Sequence, residues 1–197
     1  ALHRAGAGKG AHVALIGANM PEWIMAWFSI VTAGARVVPI DPQLPEEEIA
    51  HIIERTTTGI VFCTRVYVDL FKNIHQQHKS LCSTIVILDD ESASEGFSSF
   101  CASEKNTRPQ EAFARSFQPD DPCAVLFTSG TTGMAKGVVL TQKNFTAAGL
   151  YGVERMKLTR DTTVAAVLPF HHVFGFAACI AAPLTNGMEV VCVPQLK

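Results

Sequence analysis

The sequence predicts an α/β fold in which a mostly parallel sheet, or sheets, carries helices on both faces. Short runs rich in Val and Ile alternate with longer helical patterns along the chain. These runs are continuously apolar, as expected for parallel strands that are covered on both sides. The length of 197 residues, 48% of them hydrophobic, is enough for one sizeable domain, or for one domain and part of another.

Eight of the short apolar runs are predicted to be strands, because turn residues or helical patterns bound them. They comprise residues 12–17, 36–40, 59–63, 84–88, 124–128, 138–141, 163–168 and 189–193. Residues 89–118 interrupt the alternation with Ser, Glu, Gln, Pro and Asn. We expect this segment to form a surface connection between two halves of the sheet.

Two helices are predicted between the first three strands. Pro21 stands near the first turn of one, and Gly34 stands near its end, as is typical of helix boundaries. The other begins after Pro45 with three glutamates, which the helix dipole favours at that end. Trp23 and Trp27 are four residues apart and are predicted to pack together in the core.

The stretch from 162 to 188 contains no Asp, Glu, Lys or Arg, and it is long enough for a transmembrane helix. Pro169 and Pro183 interrupt it, however. A strand at 163–168 followed by a buried helix at 173–184 is the preferred interpretation. No transmembrane span is therefore predicted.

Charge and cysteine usage exclude some function classes. A formal net charge of −2 gives no basic surface for nucleic acid and no polybasic patch for a membrane. None of the six cysteines forms a Cys-x-x-Cys pair, and most stand in apolar runs. This pattern predicts buried, reduced thiols in a cytoplasmic protein.

One loop carries the strongest chemical signal, because an apolar strand leads into six consecutive Thr, Ser or Gly residues and a lysine follows shortly afterwards. These residues are Thr128, Ser129, Gly130, Thr131, Thr132, Gly133 and Lys136. The small side chains leave backbone N–H groups accessible, the hydroxyls can donate to anionic oxygens, and the ammonium can neutralise charge. The loop is therefore predicted to bind a polyphosphate.

A Walker A loop is the alternative for this segment, and the residues disfavour it. That pattern requires Gly, four residues and then Gly-Lys-Ser/Thr. Counting from Gly130, Ala135 stands at the second glycine position, and Gly137 follows Lys136. Because position 137 offers no hydroxyl for Mg²⁺, a Walker-type kinase or GTPase is disfavoured.

The segment 128–137 resembles the phosphate-binding signature of the adenylate-forming superfamily, although Ala135 stands where proline is more usual. This superfamily includes acyl-CoA synthetases, 4-coumarate–CoA ligases, luciferases and peptide-synthetase adenylation domains. Residues 13–23 resemble its first strand and helix, and residues 33–42 resemble its next turn and strand. Residues 168–175 resemble its Pro-x-x-His-x-x-Gly motif, so the resemblance covers nearly the whole chain.

The resemblance implies a set of roles for the residues of the site. The loop from Thr128 to Gly133, together with Lys136, would hold the β- and γ-phosphates of ATP. His172 would border the reacting carboxylate and the CoA channel as the candidate catalytic residue, with His171 as its neighbour. Without the family context, a satisfied core histidine is the alternative for His172. ATP and CoA are the implied co-substrates and Mg²⁺ is the implied metal, for which no protein ligand is assigned.

The implied reaction joins a carboxylic acid to the α-phosphate of ATP and then transfers the acyl group to CoA. The adjacent histidines resemble bacterial fatty-acid members of the family, so a medium- or long-chain fatty acid is the expected substrate. Within the family, an acyl-AMP ligase or an amino-acid adenylation domain that loads a carrier protein is the alternative. Outside it, the alternative is a non-catalytic nucleotide-binding or scaffold module.

The resemblance also implies motifs that these 197 residues do not contain, among them a ribose-binding segment and a catalytic lysine. Residues 1–197 are therefore expected to be part of the large N-terminal domain, which binds ATP and the acyl group, and to be inactive alone. The strand at 189–193 and the helix face at 174–184 are expected to leave apolar surface uncovered, so self-association of the isolated chain is expected too.

Overall fold

The computed structural model describes residues 1–90, 94–102, 117–128 and 135–194. Within these residues there are eight strands: β1 His12–Ile16, β2 Arg36–Pro39, β3 Ile60–Cys63, β4 Thr84–Ile87, β5 Pro122–Thr128, β6 Lys136–Thr141, β7 Thr163–Ala166 and β8 Glu189–Cys192. The first six form one sheet in the order β4-β3-β1-β2-β5-β6. The last two pair in parallel as a second sheet.

The larger sheet is parallel except at one edge. Val13 of β1 lies opposite Val37 of β2 on one side and opposite Ile60 of β3 on the other. β5 is parallel to β2, whereas β6 returns antiparallel to β5. The carboxyl ends of β1, β2, β3 and β5 therefore share one edge, which is where open α/β sheets bind their ligands.

Helices connect the strands and cover the sheet. They are α1 Pro21–Thr32, α2 Glu46–Thr56, α3 Val68–Gln77, α4 Phe97–Ala102, α5 Gln142–Met156, α6 Val173–Phe176 and α7 Ala182–Thr185. A 3₁₀ turn, Arg65–Tyr67, precedes α3, and a π-helical stretch, Ala177–Ala181, joins α6 to α7. The helix predicted at 173–184 is thus correct in extent, but its middle is not α-helical. Pro183 has no N–H to bond the carbonyl of Cys179, which accounts for the break in the α-helical ladder.

The sheet is buried between two apolar layers. Helix α1 packs on one face, and α2 and α3 pack on the other. Val13 and Leu15 of β1 point into the first layer, while Ala14 and Ile16 point into the second. Both faces of this strand are buried, which explains why its sequence is continuously apolar.

An aromatic cluster joins α1 to the segment before and within α6. The ring centroids of Trp23 and Trp27 are 5.6 Å apart, and those of Trp23 and Phe170 are 5.5 Å apart. Trp27 also packs on Phe176, with centroids 4.0 Å apart. Both tryptophans are buried, which confirms their predicted place in the core. The cluster holds the approach to α6 against α1.

The predicted α/β fold is confirmed, and each of the eight predicted strands occurs. The largest shifts are at β5 and β6, which begin two residues earlier than predicted, and at β7, which ends two residues earlier. Within the predicted connection at 89–118, the described residues contain α4, and residues 91–93 and 103–116 lie outside them. In the described part of the chain, no helix is both long enough and apolar enough to span a membrane.

All six cysteines lie in the described residues, and none is in a disulfide. Burial raises the pKa of the Cys63, Cys82 and Cys123 thiols to about 12. These thiols are therefore protonated and poorly nucleophilic at neutral pH. Cys101 is exposed, contrary to the general prediction of burial, because it lies on the short surface helix α4.

The predicted self-association stays a prediction, although Val191 of β8 is 48% exposed.

Candidate active site

A cavity of about 260 Å³ lies at the carboxyl ends of β2 and β5. The ends of these strands, helix α2, the start of β6 and the turn before α6 form its walls. Its lining includes Asp41, Glu48, Phe127, Thr128, His171 and His172. Two of the predicted site residues, Thr128 and His172, therefore lie in one cavity.

The sheet holds the two ends of the predicted phosphate loop together. Thr128, the last residue of β5, lies directly opposite Lys136, the first residue of β6, and both are exposed. The loop thus leaves and re-enters the sheet at the edge that carries the cavity. The predicted loop residues outside the described part of the chain are Ser129, Gly130, Thr131, Thr132 and Gly133.

Arg55, in the last turn of α2, holds the end of this loop at Ala135, the residue before β6. Its Nη1 donates a hydrogen bond to the carbonyl oxygen of Ala135 at 2.8 Å. Its guanidinium carbon lies 6.0 Å from the centroid of the Phe127 ring, within cation–π range. Gly137 leaves room for that ring, since a Cβ there would lie 3.3 Å from Phe127 Cζ. These contacts therefore hold the backbone at Ala135 and at Gly137, on either side of Lys136.

A backbone turn brings the two adjacent histidines to the cavity. The carbonyl oxygen of Pro169 accepts a hydrogen bond from the His172 N–H at 3.2 Å. Gly175 lies directly against this turn, and a Cβ on it would be 2.8 Å from the Pro169 carbonyl carbon, closer than real side chains come. Only glycine at this position allows α6 to pack on the turn.

His172 serves as the N-cap of α6. Its Nδ1 accepts a hydrogen bond from the Phe174 N–H at 3.3 Å. Because Nδ1 is the acceptor, the neutral imidazole carries its proton on Nε2. His172 is exposed and lines the cavity, so this Nε2–H is a hydrogen-bond donor available to a ligand there.

His171 is more than a neighbour, because it lines the same cavity and meets an acid. Its Nε2 lies 3.4 Å from Asp41 Oδ1, and its side chain is only 16% exposed. Burial lowers the pKa of His171; the Asp41 carboxylate opposes this effect and His172 adds to it. Burial thus favours the neutral ring and opposes a full ion pair with Asp41. Since the folded-state pKa is lowered, protonation below about pH 6.5 favours the unfolded chain.

Three further residues, none of them predicted from the sequence as a site residue, shape this site: Asn19, Asp41 and Arg55. Asn19 and Asp41 each follow a parallel strand at its carboxyl end, and a polar residue at that place is a signal that the sequence offers. Arg55 offers no such signal. Its partner is 80 residues away along the chain, so only the folded topology brings the two together.

A larger cavity, of about 500 Å³, lies at the opposite edge of the sheet, beside Lys9 and Arg36. Thr128, Lys136 and His172 are at the other edge, so we assign the site by its chemistry and not by volume. In residues 1–90, 94–102, 117–128 and 135–194, no group of three or more His, Cys, Asp or Glu side chains is arranged to hold a metal ion.

Comparison with known proteins supports the family resemblance. The whole chain, residues 1–197, matches the family described as AMP-binding enzyme. The crotonobetaine/carnitine–CoA ligase of Salmonella arizonae is 34% identical over 188 residues, which are 95% of this chain and 36% of that ligase. The structure of apo MatB from Rhodopseudomonas palustris has a TM-score of 0.83 and 25% identity, over 100% of this chain and 37% of MatB.

The fold is also that of an anthranilate CoA ligase in complex with anthranoyl-AMP, with a TM-score of 0.87 and 24% identity over 99% of this chain and 37% of that ligase. The present chain thus spans little more than a third of the length of these relatives. Its match to the family extends over every residue, including the phosphate loop and the histidine turn. The chain therefore belongs to the family of AMP-binding enzymes, the adenylate-forming superfamily that includes the acyl-CoA synthetases.

Proposed function

We propose that the protein containing this chain activates a carboxylic acid with ATP, forms an acyl-AMP, and transfers the acyl group to CoA. The observation that carries the proposal is that Thr128 and His172 line one cavity, with Lys136 directly opposite Thr128 in the sheet. The end of a loop rich in donors therefore lies beside an imidazole donor. Such an arrangement can align an acid with a phosphate and stabilise the charge of both.

In the first step, a carboxylate oxygen attacks the α-phosphorus of ATP, the bond from this phosphorus to the oxygen bridging to the β-phosphate breaks, and pyrophosphate leaves. Two anions must approach, so their charge has to be neutralised and their atoms aligned. The loop from Thr128 to Gly133 would hold the β- and γ-phosphates with Lys136. Mg²⁺ would arrive on ATP as part of the substrate.

In the second step, the sulfur of CoA attacks the acyl carbonyl carbon, a thioester C–S bond forms, and the C–O bond to AMP breaks. The thiol loses its proton to water, and AMP leaves with the bridging oxygen. His172 is the candidate catalytic residue, because its Nε2–H could donate to a carboxyl oxygen of the acid or of the acyl-AMP. Donation to that oxygen would orient the reacting group and stabilise negative charge on it.

Two classes of acid are candidates. The adjacent His171 and His172 favour a medium- or long-chain fatty acid, by their likeness to bacterial fatty-acid members of the family. The named relative at 34% identity favours crotonobetaine or carnitine, both of which carry a quaternary ammonium group. Asp41 and Glu48 line the cavity and could face such a cation. We propose the fatty acid first and the quaternary ammonium acid second.

The test is acid-dependent exchange of labelled pyrophosphate into ATP by the full-length protein, followed by mass spectrometry of CoA thioesters. Octanoate, palmitate, crotonobetaine, carnitine and amino acids form the panel, and the 197-residue chain is the control expected to be inactive. We expect exchange with one acid class without CoA, and a thioester once CoA is added. Exchange without a thioester would favour loading of a carrier protein. ATP binding without exchange for any acid would contradict the proposal and favour a non-catalytic module.

The proposed location is the cytoplasm, where CoA, ATP and reduced thiols occur together. The six unpaired cysteines support this proposal. The thiols of Cys63, Cys82 and Cys123, with their raised pKa values, would resist oxidation there.

A further inference from the structure

The side chain of Asn19 connects the large sheet to the segment that leads into the histidine turn. Asn19 follows β1 and is 6% exposed. Its Nδ2 donates hydrogen bonds to the carbonyl oxygens of Ala166 at 3.0 Å and Leu168 at 2.9 Å. Its Oδ1 accepts from the Phe170 N–H at 3.0 Å. One carboxamide thus fixes three backbone groups nearly 150 residues further along the chain.

These three groups lie where the second sheet gives way to the turn. β7 ends at Ala166, so the backbone at 168–170 has left the strand and needs other partners. Asn19 supplies both the donors and the acceptor that this backbone requires. A carboxamide can make two donations and one acceptance here, because it carries a carbonyl oxygen and two N–H donors, whereas a hydroxyl has a single donor.

The same segment is held on its apolar side. The Phe170 side chain is 1% exposed and packs on Trp23, the residue that stands four places after Asn19. The next two residues are His171 and His172, and both line the cavity beside Thr128. Asn19 therefore holds the Phe170 backbone and Trp23 packs on its ring. The two histidines follow directly after this doubly held residue.

We propose that Asn19 is a positioning residue that holds the His171–His172 turn in place beside Thr128, the first residue of the predicted phosphate loop. Its effect on catalysis rests on the proposed acid–CoA ligase activity; its effect on the histidines does not. Asn19 does not line the cavity and acts through the Leu168 and Phe170 backbone. Removing the carboxamide would release this backbone and let the turn move away from Asp41 and Thr128.

The experiment uses the full-length protein with three variants and two readouts. Asn19→Ala removes all three hydrogen bonds, and Asn19→Asp keeps the size and the bond from Phe170 but loses both donors. Asn144→Ala is the matched control. Asn144 belongs to the exposed capping box of α5, where its hydrogen bonds are to Thr141 and its loss weakens a helix end.

The first readout is the steady-state rate of acid-dependent pyrophosphate exchange. We expect kcat to fall on the order of 10- to 100-fold in both Asn19 variants, as a misplaced reacting group would cause. The KM for ATP should change by no more than about twofold, because the described ends of the predicted phosphate loop are held by β5, β6 and Arg55 and not by Asn19. Asn144→Ala should leave both constants close to those of the unmodified protein.

The second readout is the titration of the His171 ring, followed by NMR of histidine-labelled protein and assigned with a His171→Gln variant. Burial is the main cause of the lowered pKa of His171 in the native turn, with Asp41 and His172 as the titratable groups beside it. Releasing the turn hydrates the ring, so its pKa should rise toward about 6.5 in the Asn19 variants. It should not move in Asn144→Ala.

The outcomes separate this inference from the proposed function. An unchanged His171 titration in the Asn19 variants, with kcat no lower than in Asn144→Ala, would overturn the positioning role even if the ligase activity is present. If the unmodified protein has no ligase activity, the proposed function is overturned. A shifted His171 titration in its Asn19 variants would still support the positioning role. If neither Asn19 variant folds, amide exchange in the unmodified protein decides. A Phe170 N–H that exchanges as fast as an open loop amide would contradict its bond to Asn19.

Discussion

Gly175→Ala is expected to reduce the rate of acid activation on the order of 100-fold, because it displaces the turn that carries both histidines. A Cβ at this position would be 2.8 Å from the Pro169 carbonyl carbon and 3.2 Å from the Leu168 carbonyl carbon. Backbone atoms cannot rotate away as the end of a side chain can, so α6 and the turn must separate. Overpacking of this kind costs about 1–3 kcal/mol of the free energy of unfolding, and occasionally more.

The measurement is kcat for acid-dependent pyrophosphate exchange, with thermal unfolding recorded alongside. Gly152→Ala in α5 is the matched control, because the nearest atom to its new Cβ is Ala182 Cβ at 3.9 Å, an ordinary contact. Replacing a glycine inside a helix with alanine should stabilise it by about 0.5–1 kcal/mol. A Gly175→Ala protein with the kcat and stability of the unmodified protein would show that the turn and α6 are not packed as described.

Lys136→Ala is expected to impair the use of ATP far more than the use of the acid. Lys136 lies at the end of the predicted phosphate loop, opposite Thr128. A hydrogen bond to a charged group contributes about 1.5–3 kcal/mol, which corresponds to roughly 10- to 150-fold in kcat/KM for ATP. The KM for the acid should stay within about twofold, since the lysine is proposed to bind the β- and γ-phosphates.

Exchange kinetics at varied ATP and at varied acid separate the two effects. Lys79→Ala removes a lysine charge from an exposed position outside the cavity and is the matched control. It should leave both substrate dependences unchanged. An unaltered dependence on ATP in Lys136→Ala would show that the segment 128–137 is a structural turn and not a phosphate-binding loop.

The sequence predicts most of this fold because its strands are buried on both faces. Continuous apolar runs such as 12–17 and 59–63 have the length of strands that are covered on both sides, and the helices between them carry clear boundary residues. The ends of the strands are less predictable. β6 begins at Lys136 because it pairs with β5 up to the mouth of the loop, a tertiary contact that the exposed residues of β6 do not reveal.

Part of the candidate site was predictable for a different reason. Thr128, Lys136 and His172 belong to short local motifs, whose spacing along the chain is itself the signal. Asn19 and Arg55 act through single side chains on backbone groups 147 and 80 residues away. No local pattern encodes such a pairing, because the sheet order decides which loops meet. His171 lies between these cases, since the motif gives its place but only the fold gives it Asp41 as a neighbour.

The most direct test of the central claim is hydrogen–deuterium exchange of the full-length protein with and without MgATP, read by mass spectrometry of its peptides. The claim is that the ends of the predicted phosphate loop, at Thr128 and Ala135, and the histidine turn belong to one site at the carboxyl edge of the sheet. We predict that MgATP slows exchange in peptides covering 125–141 and, with the acid added, in those covering 168–176. Peptides covering 7–12 and 31–36, beside the larger cavity, should not change. Protection at that opposite edge, with none at 125–141, would contradict the account.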